Sequence, residues 1–240
     1  GSMPTSNYAT PLVALSGVVL DLETTGLDAR YARAVQIGAV RIVNGRIAEE
    51  AKLEHLVNPG VPIPAETTAI HGLTDAAVKD APQFAALLPV IETGSGDAIV
   101  SGHTVAYDLD IMKREYEIAN QPWRQPRNLC VRALARLAAP TLAHHSIDRL
   151  CEWLNVPMVG RHTALGDAET TARLFLALIP LLRERNIRTL AEAEAACRVL
   201  SEADARTARG LVAPEPAPGP QPPQPLARID SFPYRHRVRD

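Results

Sequence analysis

Aromatic residues make up 4% of this 240-residue chain, with three phenylalanines and two tryptophans. So few flat side chains argue against a long track on which successive bases of a single strand could stack. Cysteine is equally sparse. Cys130, Cys151 and Cys197 are odd in number, far apart and without a Cys-x-x-Cys pair. They exclude a disulfide or zinc framework and fit buried thiols in a reducing compartment. No charge of one sign dominates: the net charge of −2 gives no global basic footprint, so a polyanion must be short or gripped by local Arg and Lys patches. Long hydrophobic runs are missing too. The greasiest stretch, Leu174 to Leu182, contains Pro180 and is too short to cross a bilayer. Gly1-Ser2-Met3 reads as a cloning scar and start methionine, with no charged-then-apolar signal segment behind it. Together these absences predict a soluble, cytoplasmic protein with no membrane partner.

A hydrophobic fraction of 46% against 22% charged residues suffices for a full core, and the length suits one large domain with a tail. Strands are expected at Gly17–Leu22, Val35–Val43 and Arg46–Val57. Asn44-Gly45 between the last two is a strong hairpin signal and makes the opening an antiparallel meander. Helical patterning follows at Ala65–Ile70, Phe84–Ile91, Val105–Ile118, Leu129–Leu137, Ile147–Leu154 and Ala164–Leu182, with a short strand at Ala98–Ser101. Alternating strands and helices after a meander predict an α/β domain with a mixed sheet. We expect that domain over residues 4–188 and an alanine-rich helical appendage over 189–210. Residues 211–240 begin with a proline-rich run that cannot pack a core and forms a stiff spacer. The segment Ile229 to Asp240 regains aromatic and basic residues. It leaves two readings open: a chain cut before a further domain, or a tail that docks on the core or on a partner.

The run Val18-Val19-Leu20-Asp21-Leu22-Glu23-Thr24-Thr25-Gly26-Leu27 carries the strongest chemical signal. The period of a strand puts Asp21 and Glu23 on one face with Leu22 turned away. Two carboxylates side by side repel unless a cation sits between them, and a hard divalent ion such as Mg²⁺ or Mn²⁺ takes oxygen ligands. Gly102-His103-Thr104-Val105-Ala106-Tyr107-Asp108 opens a helix with Asp108 in its first turn, and His162-Thr163-Ala164-Leu165-Gly166-Asp167 opens another with Asp167 in the same place. Each acid alone would pass for an ordinary helix-dipole carboxylate.

Taken together, these three motifs resemble those of the DEDDh, or DnaQ-like, exonuclease family. Asn58-Pro59-Gly60 and Ile70-His71-Gly72-Leu73-Thr74 resemble that family's intervening loops. The similarity runs from about Val18 to Leu182. It implies an RNase H-like fold, a mixed central sheet flanked by helices, with the acids at strand ends and helix starts. It also implies phosphodiester hydrolysis with two divalent cations, Mg²⁺ or Mn²⁺, held by Asp21, Glu23, Asp108 and Asp167. Asp21 would bridge both ions, Glu23 and Asp167 would complete the site of the attacking water, and Asp108 would anchor the second ion. His162 would take the proton from that water, since imidazole titrates near neutrality. Thr24, Thr25 and Gly26 would approach the terminal nucleotide, Leu27 would wedge against its base, and His71 would line the same pocket or serve as a packed loop histidine. Thr104 stands where Asn is frequent, Tyr107 where Phe is frequent, and Asn128 to Arg132 where many relatives carry an Asp-Thr pair. Arg30, Arg33, Arg124, Arg127, Arg132 and Arg136 are candidate phosphate contacts.

The expected activity is 3′→5′ hydrolysis of single-stranded or frayed 3′ ends to nucleoside 5′-monophosphates, with DNA favoured over RNA. The alternative is a proofreading or regulatory subunit acting through a polymerase subunit or a C-terminal regulatory domain. The closing Tyr234 to Asp240 resembles the lead-in to the paired CBS domains of some bacterial relatives. A binding module that has lost catalysis is disfavoured, because all four carboxylates and the histidine are present.

Overall fold

The computed structural model describes residues 9–95 and 98–210; the scar expected at 1–3 and the proline-rich tail expected at 211–240 lie outside the described residues. The first apolar run forms β1 (Gly17–Thr24), buried on both faces through Leu20, and a strand greasy on both sides belongs inside a sheet. Antiparallel β2 (Ala34–Val43) and β3 (Arg46–Leu56) lie to one side of it, and parallel β4 (Ile99–Gly102) and β5 (Asn128–Cys130) to the other. The order is β3-β2-β1-β4-β5. This is the expected mixed sheet, an antiparallel meander followed by parallel strands.

The β2–β3 turn is the hairpin read from Asn44-Gly45. Both residues have positive φ, 50° and 77°, as a type I′ turn requires. Gly45 is needed twice over, because a Cβ there would come within 1.9 Å of the Val13 carbonyl oxygen.

Helices cover both faces. α1 (Ala65–His71), the short α2 (Asp75–Val78), α3 (Phe84–Ser95) and α4 (Val105–Ile118) precede β5, and α5 (Val131–Ala138), α6 (Ile147–Leu154), α7 (Ala164–Arg183) and α8 (Leu190–Ala208) follow it. One core joins Val19, Val40, Ile42 and Leu129 of the sheet to α5, α6, α7 and the first turn of α8. A second joins Leu20, Leu22 and Val100 to α3 and α4. A cavity of about 990 Å³ opens on this second face, among Leu20, Ala39, Leu53, Val100 and Trp123. Among the described residues no helix is long and apolar enough to cross a membrane.

The structure departs from the sequence expectation at Leu129–Leu137. Asn128–Cys130 is a strand paired with β4, and the helix starts only at Val131. Three residues are too few for periodicity to separate a strand from a first helical turn; pairing with Val100 to Gly102 decides it. The four-residue α2 was not expected; Thr74 caps it by accepting from the Ala77 N–H.

One ion pair ties α4 to the loop behind β1. Glu115, 2% exposed, accepts from Arg33 Nε (3.0 Å) and Nη2 (2.8 Å) and from the Ala34 N–H (2.9 Å). Replacing it with alanine strands a guanidinium and an amide in the interior. Glu115→Ala is expected to cost about 3–5 kcal/mol in urea denaturation, whereas an exposed change such as Glu117→Ala should stay within about 0.5 kcal/mol.

Candidate active site

The alternation of β1 puts Val19, Asp21 and Glu23 on the face that α7 covers, while Leu20 and Leu22 enter the opposite core. Asp21 pairs with Gly38 of β2. A Cβ at Gly38 would lie 2.3 Å from the backbone of Ala164 and Leu165, so only glycine lets the start of α7 press this closely on the sheet. That contact brings Asp167, three residues into α7, up to Asp21.

The amides of the N-cap Thr163 and of the first three residues of α7, which no helical carbonyl can satisfy, all find partners. Thr163 N–H donates to the Gly160 carbonyl (3.0 Å), Ala164 N–H to Gln36 Oε1 (3.0 Å), Leu165 N–H to Glu54 Oε2 (3.0 Å) and Gly166 N–H to Thr163 Oγ1 (3.1 Å). Two of those four acceptors are side chains of β2 and β3, so the helix start is fixed to the sheet.

Carboxylate oxygens of Asp21, Glu23 and Asp167 lie within 4.8 Å of one another. Asp108, on α4, stands beside them: its Oδ1 accepts from the N–H of Leu22 (3.2 Å), the residue between the two β1 acids. Asp21 Oδ2 is buried and accepts no hydrogen bond, a costly state for a carboxylate oxygen unless a cation meets it. An all-oxygen donor set of this kind fits a hard divalent cation such as Mg²⁺ or Mn²⁺, and not a thiophilic one.

Crowding shows in the titration of these groups. Burial, then the neighbouring Asp108, Asp167 and Glu23, lifts the Asp21 carboxyl well above its ordinary range. Burial and Asp167 push Glu23 up to about 8. Burial alone drives Asp108 to about 8, against the pull of the Leu22 N–H. Asp167 is raised by burial and eased by Arg161.

His162 sits in the turn before α7 with φ of 69°, a left-handed backbone uncommon for a residue with a side chain. Its N–H donates to Asp167 Oδ1 (3.2 Å), so the histidine and the acid five residues on are tied together. His71 is placed at the end of β1. Its Nδ1 accepts from the Leu73 N–H (3.0 Å), which leaves Nε2 to donate to the Thr24 carbonyl (3.1 Å). Nε2 therefore latches the end of α1 to the motif while Nδ1 holds the loop that follows, and burial holds this imidazole below its ordinary pKa.

The Thr24–Leu27 turn is held from behind. Thr24 Oγ1 donates to the Gly26 carbonyl (2.7 Å), and the Tyr107 hydroxyl, 2.7 Å from Thr24 Oγ1, donates to the same carbonyl (2.5 Å). The Tyr107 hydroxyl thus braces the turn. Thr25 is buried, its N–H donating to the Arg33 carbonyl and its Oγ1 accepting from the Arg33 N–H, both 2.9 Å. Gly26 faces open space, with nothing within 4 Å of a Cβ built there, and Leu27 is 85% exposed. Neither is demanded by packing. Thr104 Oγ1 lies 3.1 Å from His103 Nδ1 rather than capping α4. The turn at Asn128 to Arg132 is held instead by the His103 carbonyl, which accepts from the Arg132 N–H (2.8 Å) and Cys130 Sγ (3.3 Å).

Several arginines put forward as phosphate contacts are engaged in the structure. Arg33 is bound to Glu115, Arg127 to Glu194 and Arg136 to Asp204. Arg30 pairs with Asp28 at the surface and lies over the Tyr31 ring, 5.4 Å from its centroid. Arg124 and Arg132 are exposed. The sequence reading passed over Arg161. Its Nη1 donates to Asp167 Oδ2 (2.7 Å) and its Nε to Asp148 Oδ1 (2.9 Å). Its one signal in the sequence is its position directly before the motif histidine; the two acids it meets stand 13 residues before it and 6 after it. The apolar cavity of the second sheet face contains none of the four acids and neither His71 nor His162.

Residues 18–175 match the family described as Exonuclease. A DNA polymerase III subunit epsilon-like protein of Rhodobacter capsulatus is 39% identical over 183 residues, covering 75% of this chain and 26% of that protein. The DNA polymerase III subunit epsilon of Aquifex aeolicus is 35% identical over 163 residues, 68% of this chain and 79% of that one. The chain thus spans about a quarter of the first relative's length and most of the second's. Among solved structures, exonuclease X in complex with 5′ overhanging duplex DNA superposes with a TM-score of 0.57 at 27% identity, over 75% of this chain and 98% of that one. E. coli exonuclease I with a dT13 oligonucleotide shares the fold, with a TM-score of 0.61 at 14% identity over 71% and 43% of the two chains.

The raised carboxyls fix the sign of a pH effect. Glu23 and Asp108 keep their protons up to about pH 8 in the folded protein but release them near their ordinary values of 4.5 and 3.8 when it unfolds. The stability these two groups contribute is therefore fully present below about pH 4 and is lost as pH rises through 8. In EDTA the melting temperature should fall between pH 5 and 9 by at least about 5 °C. Mn²⁺ or Mg²⁺ should restore it, and by more at pH 9 than at pH 5, in a thermal melt followed by circular dichroism.

Proposed function

The chain belongs to this exonuclease family, and we propose that it is a metal-dependent 3′→5′ exonuclease that trims single-stranded or frayed 3′ ends to nucleoside 5′-monophosphates. The observation that carries this reading is the meeting of Asp21, Glu23 and Asp167 oxygens within 4.8 Å, with Asp108 and His162 tied to the same cluster by hydrogen bonds. In this reading Asp21, Glu23, Asp108 and Asp167 hold two divalent cations, Mg²⁺ or Mn²⁺. Such cations supply Lewis acidity, acidifying water and offsetting the charge that grows on the scissile phosphate.

The chain's own residues do the rest. His162 accepts the proton of the attacking water, and the left-handed turn that carries it sets the imidazole outside the helix, free of the α7 ladder. Exposed Leu27 meets the terminal base while the braced Thr24–Gly26 turn offers backbone at close range, where a side chain at position 26 would intrude. His71 keeps that turn in place through the Thr24 carbonyl. The sparsity of aromatic side chains suits a short grip on one or two terminal nucleotides.

DNA is the favoured substrate. The similar exonuclease X is in complex with 5′ overhanging duplex DNA, and the relatives include polymerase III epsilon proteins. That kinship also supports a polymerase as partner, reached through the proline-rich residues after 210, and a cytoplasmic setting. In this organisation residues 4–188 form the catalytic domain and 189–210 a helical appendage.

The test is hydrolysis of 5′-labelled single-stranded DNA and RNA with Mg²⁺, Mn²⁺ or EDTA. A ladder shrinking from the 3′ end is expected with metal and none with EDTA. Asp21→Ala should abolish turnover in a folded protein. His162→Ala should lower kcat by about 10²–10⁴-fold while Mn²⁺ affinity stays near wild type, because this residue is a base and not a ligand. A ladder that persists undiminished in Asp21→Ala would sink the reading.

A further inference from the structure

Arg161 belongs to the turn between α6 and α7, directly before His162. Its side chain is 14% exposed and contacts two carboxylates of opposite character. Nη1 donates to Asp167 Oδ2 at 2.7 Å, inside the acidic cluster. On the other side, Nε and Nη2 fork onto Asp148 Oδ1 (2.9 Å) and Oδ2 (3.4 Å), on the first turn of α6. The Asp167 side chain is 4% exposed and the Asp148 side chain 57% exposed. One guanidinium thus spans from the interior of the site to its surface.

The other oxygen of Asp167 is also engaged, accepting from the His162 N–H. A cation that ligates Asp167 through Oδ2 meets a bound positive charge already on that oxygen, and one that ligates through Oδ1 meets the backbone of His162. Arg161 also acts at longer range, lowering the carboxyls of Asp21 and Glu23. It is the built-in cation of the cluster.

We propose that Arg161 is a positioning residue that sets the metal affinity of the site: its guanidinium shares Asp167 with the divalent cation, yields that oxygen as the cation binds, and is retained by Asp148. The inference rests on the metal-dependent reading above. Coulomb's law gives its direction, since a divalent ion and a guanidinium on one carboxylate repel each other and compete for it. Asp148 decides how readily the guanidinium gives way. The fork onto Asp148 already uses two of its nitrogens, so release from Asp167 breaks one bond and leaves an intact Arg–carboxylate pair. Asp148 meets the acidic cluster through Arg161, which holds Asp167 on its other side, and that is the route by which it acts on the metal.

Mn²⁺ titrations at pH 8 without nucleic acid test this, followed by the electron paramagnetic resonance of the free ion. Arg161→Gln is expected to tighten Mn²⁺ binding by about tenfold or more, and Arg161→Lys, which keeps the charge, to stay nearer wild type. Asp148→Asn takes away the outer partner, leaves Arg161 on Asp167, and should weaken Mn²⁺ severalfold. The double variant should match Arg161→Gln alone. Unchanged or weaker binding in a folded Arg161→Gln protein, with wild type binding normally, overturns the proposal and leaves the metal site standing. Loss of Mn²⁺ binding in wild type itself overturns the metal reading and the proposal together. If Arg161→Gln does not fold by circular dichroism, Asp148→Asn decides: weaker binding supports the role assigned to Arg161, and wild-type binding overturns it.

Discussion

Four carboxylates converge at the end of the central strand, and their mutual repulsion is the constraint around which the domain is organised. Burial makes Asp21, Glu23 and Asp108 cling to their protons, and for Asp21 and Glu23 each neighbouring acid raises the cost of ionising further. No local preference of the chain would assemble them. They are held by surroundings that are stable on their own account: a strand buried on both faces, a helix whose start is bonded to two strands, and a second helix anchored by a buried ion pair. The cluster is a strained guest in a well-satisfied frame.

That frame acts at a few contacts. Gly38 lets α7 approach, and the register of β1 on β2 sets Asp21 directly opposite it. The register shifts between Glu23 and Thr24, where the strand ends and the chain turns toward Leu27; such irregularities re-aim side chains beside a site. α4 contributes twice. Its first turn delivers Asp108, and two turns further on Glu115 grips Arg33 and Ala34, closing the loop that Thr25 also closes. One helix therefore sets both an acid and the loop that follows the acidic motif.

The sequence made legible what depends on short-range rules. The hairpin at Asn44-Gly45, the helix Val105–Ile118 and the mixed sheet all emerge where periodicity and turn chemistry predict them, and the RNase H-like exonuclease fold matches. What escaped depends on partners distant in the chain. β5 exists because β4 pairs with it, and three residues hold no period to read. Arg33 reads as a candidate phosphate contact in the sequence, but Glu115, 82 residues on, holds it in the fold. Arg161 was hidden for the same reason: a charge next to a histidine says little until its two acids, Asp148 and Asp167, are seen on either side of it. The Tyr107 hydroxyl likewise gains a role only once Gly26 is brought beneath it.

The segment before β1 and the start of α8 meet at one place. Pro11 bridges Thr189 antiparallel, the Leu12 N–H donates to the Arg188 carbonyl, and the Leu190 N–H donates to the Thr10 carbonyl, both at 2.9 Å. In mechanical terms this is a clasp across the base of the domain. Tension applied between the chain before Thr10 and the chain after Leu190 passes through these few bonds and bypasses the sheet. Pulling on these two chain ends therefore loads the clasp before the strand that carries Asp21 and Glu23. The clasp would give way first, leaving the five strands in register.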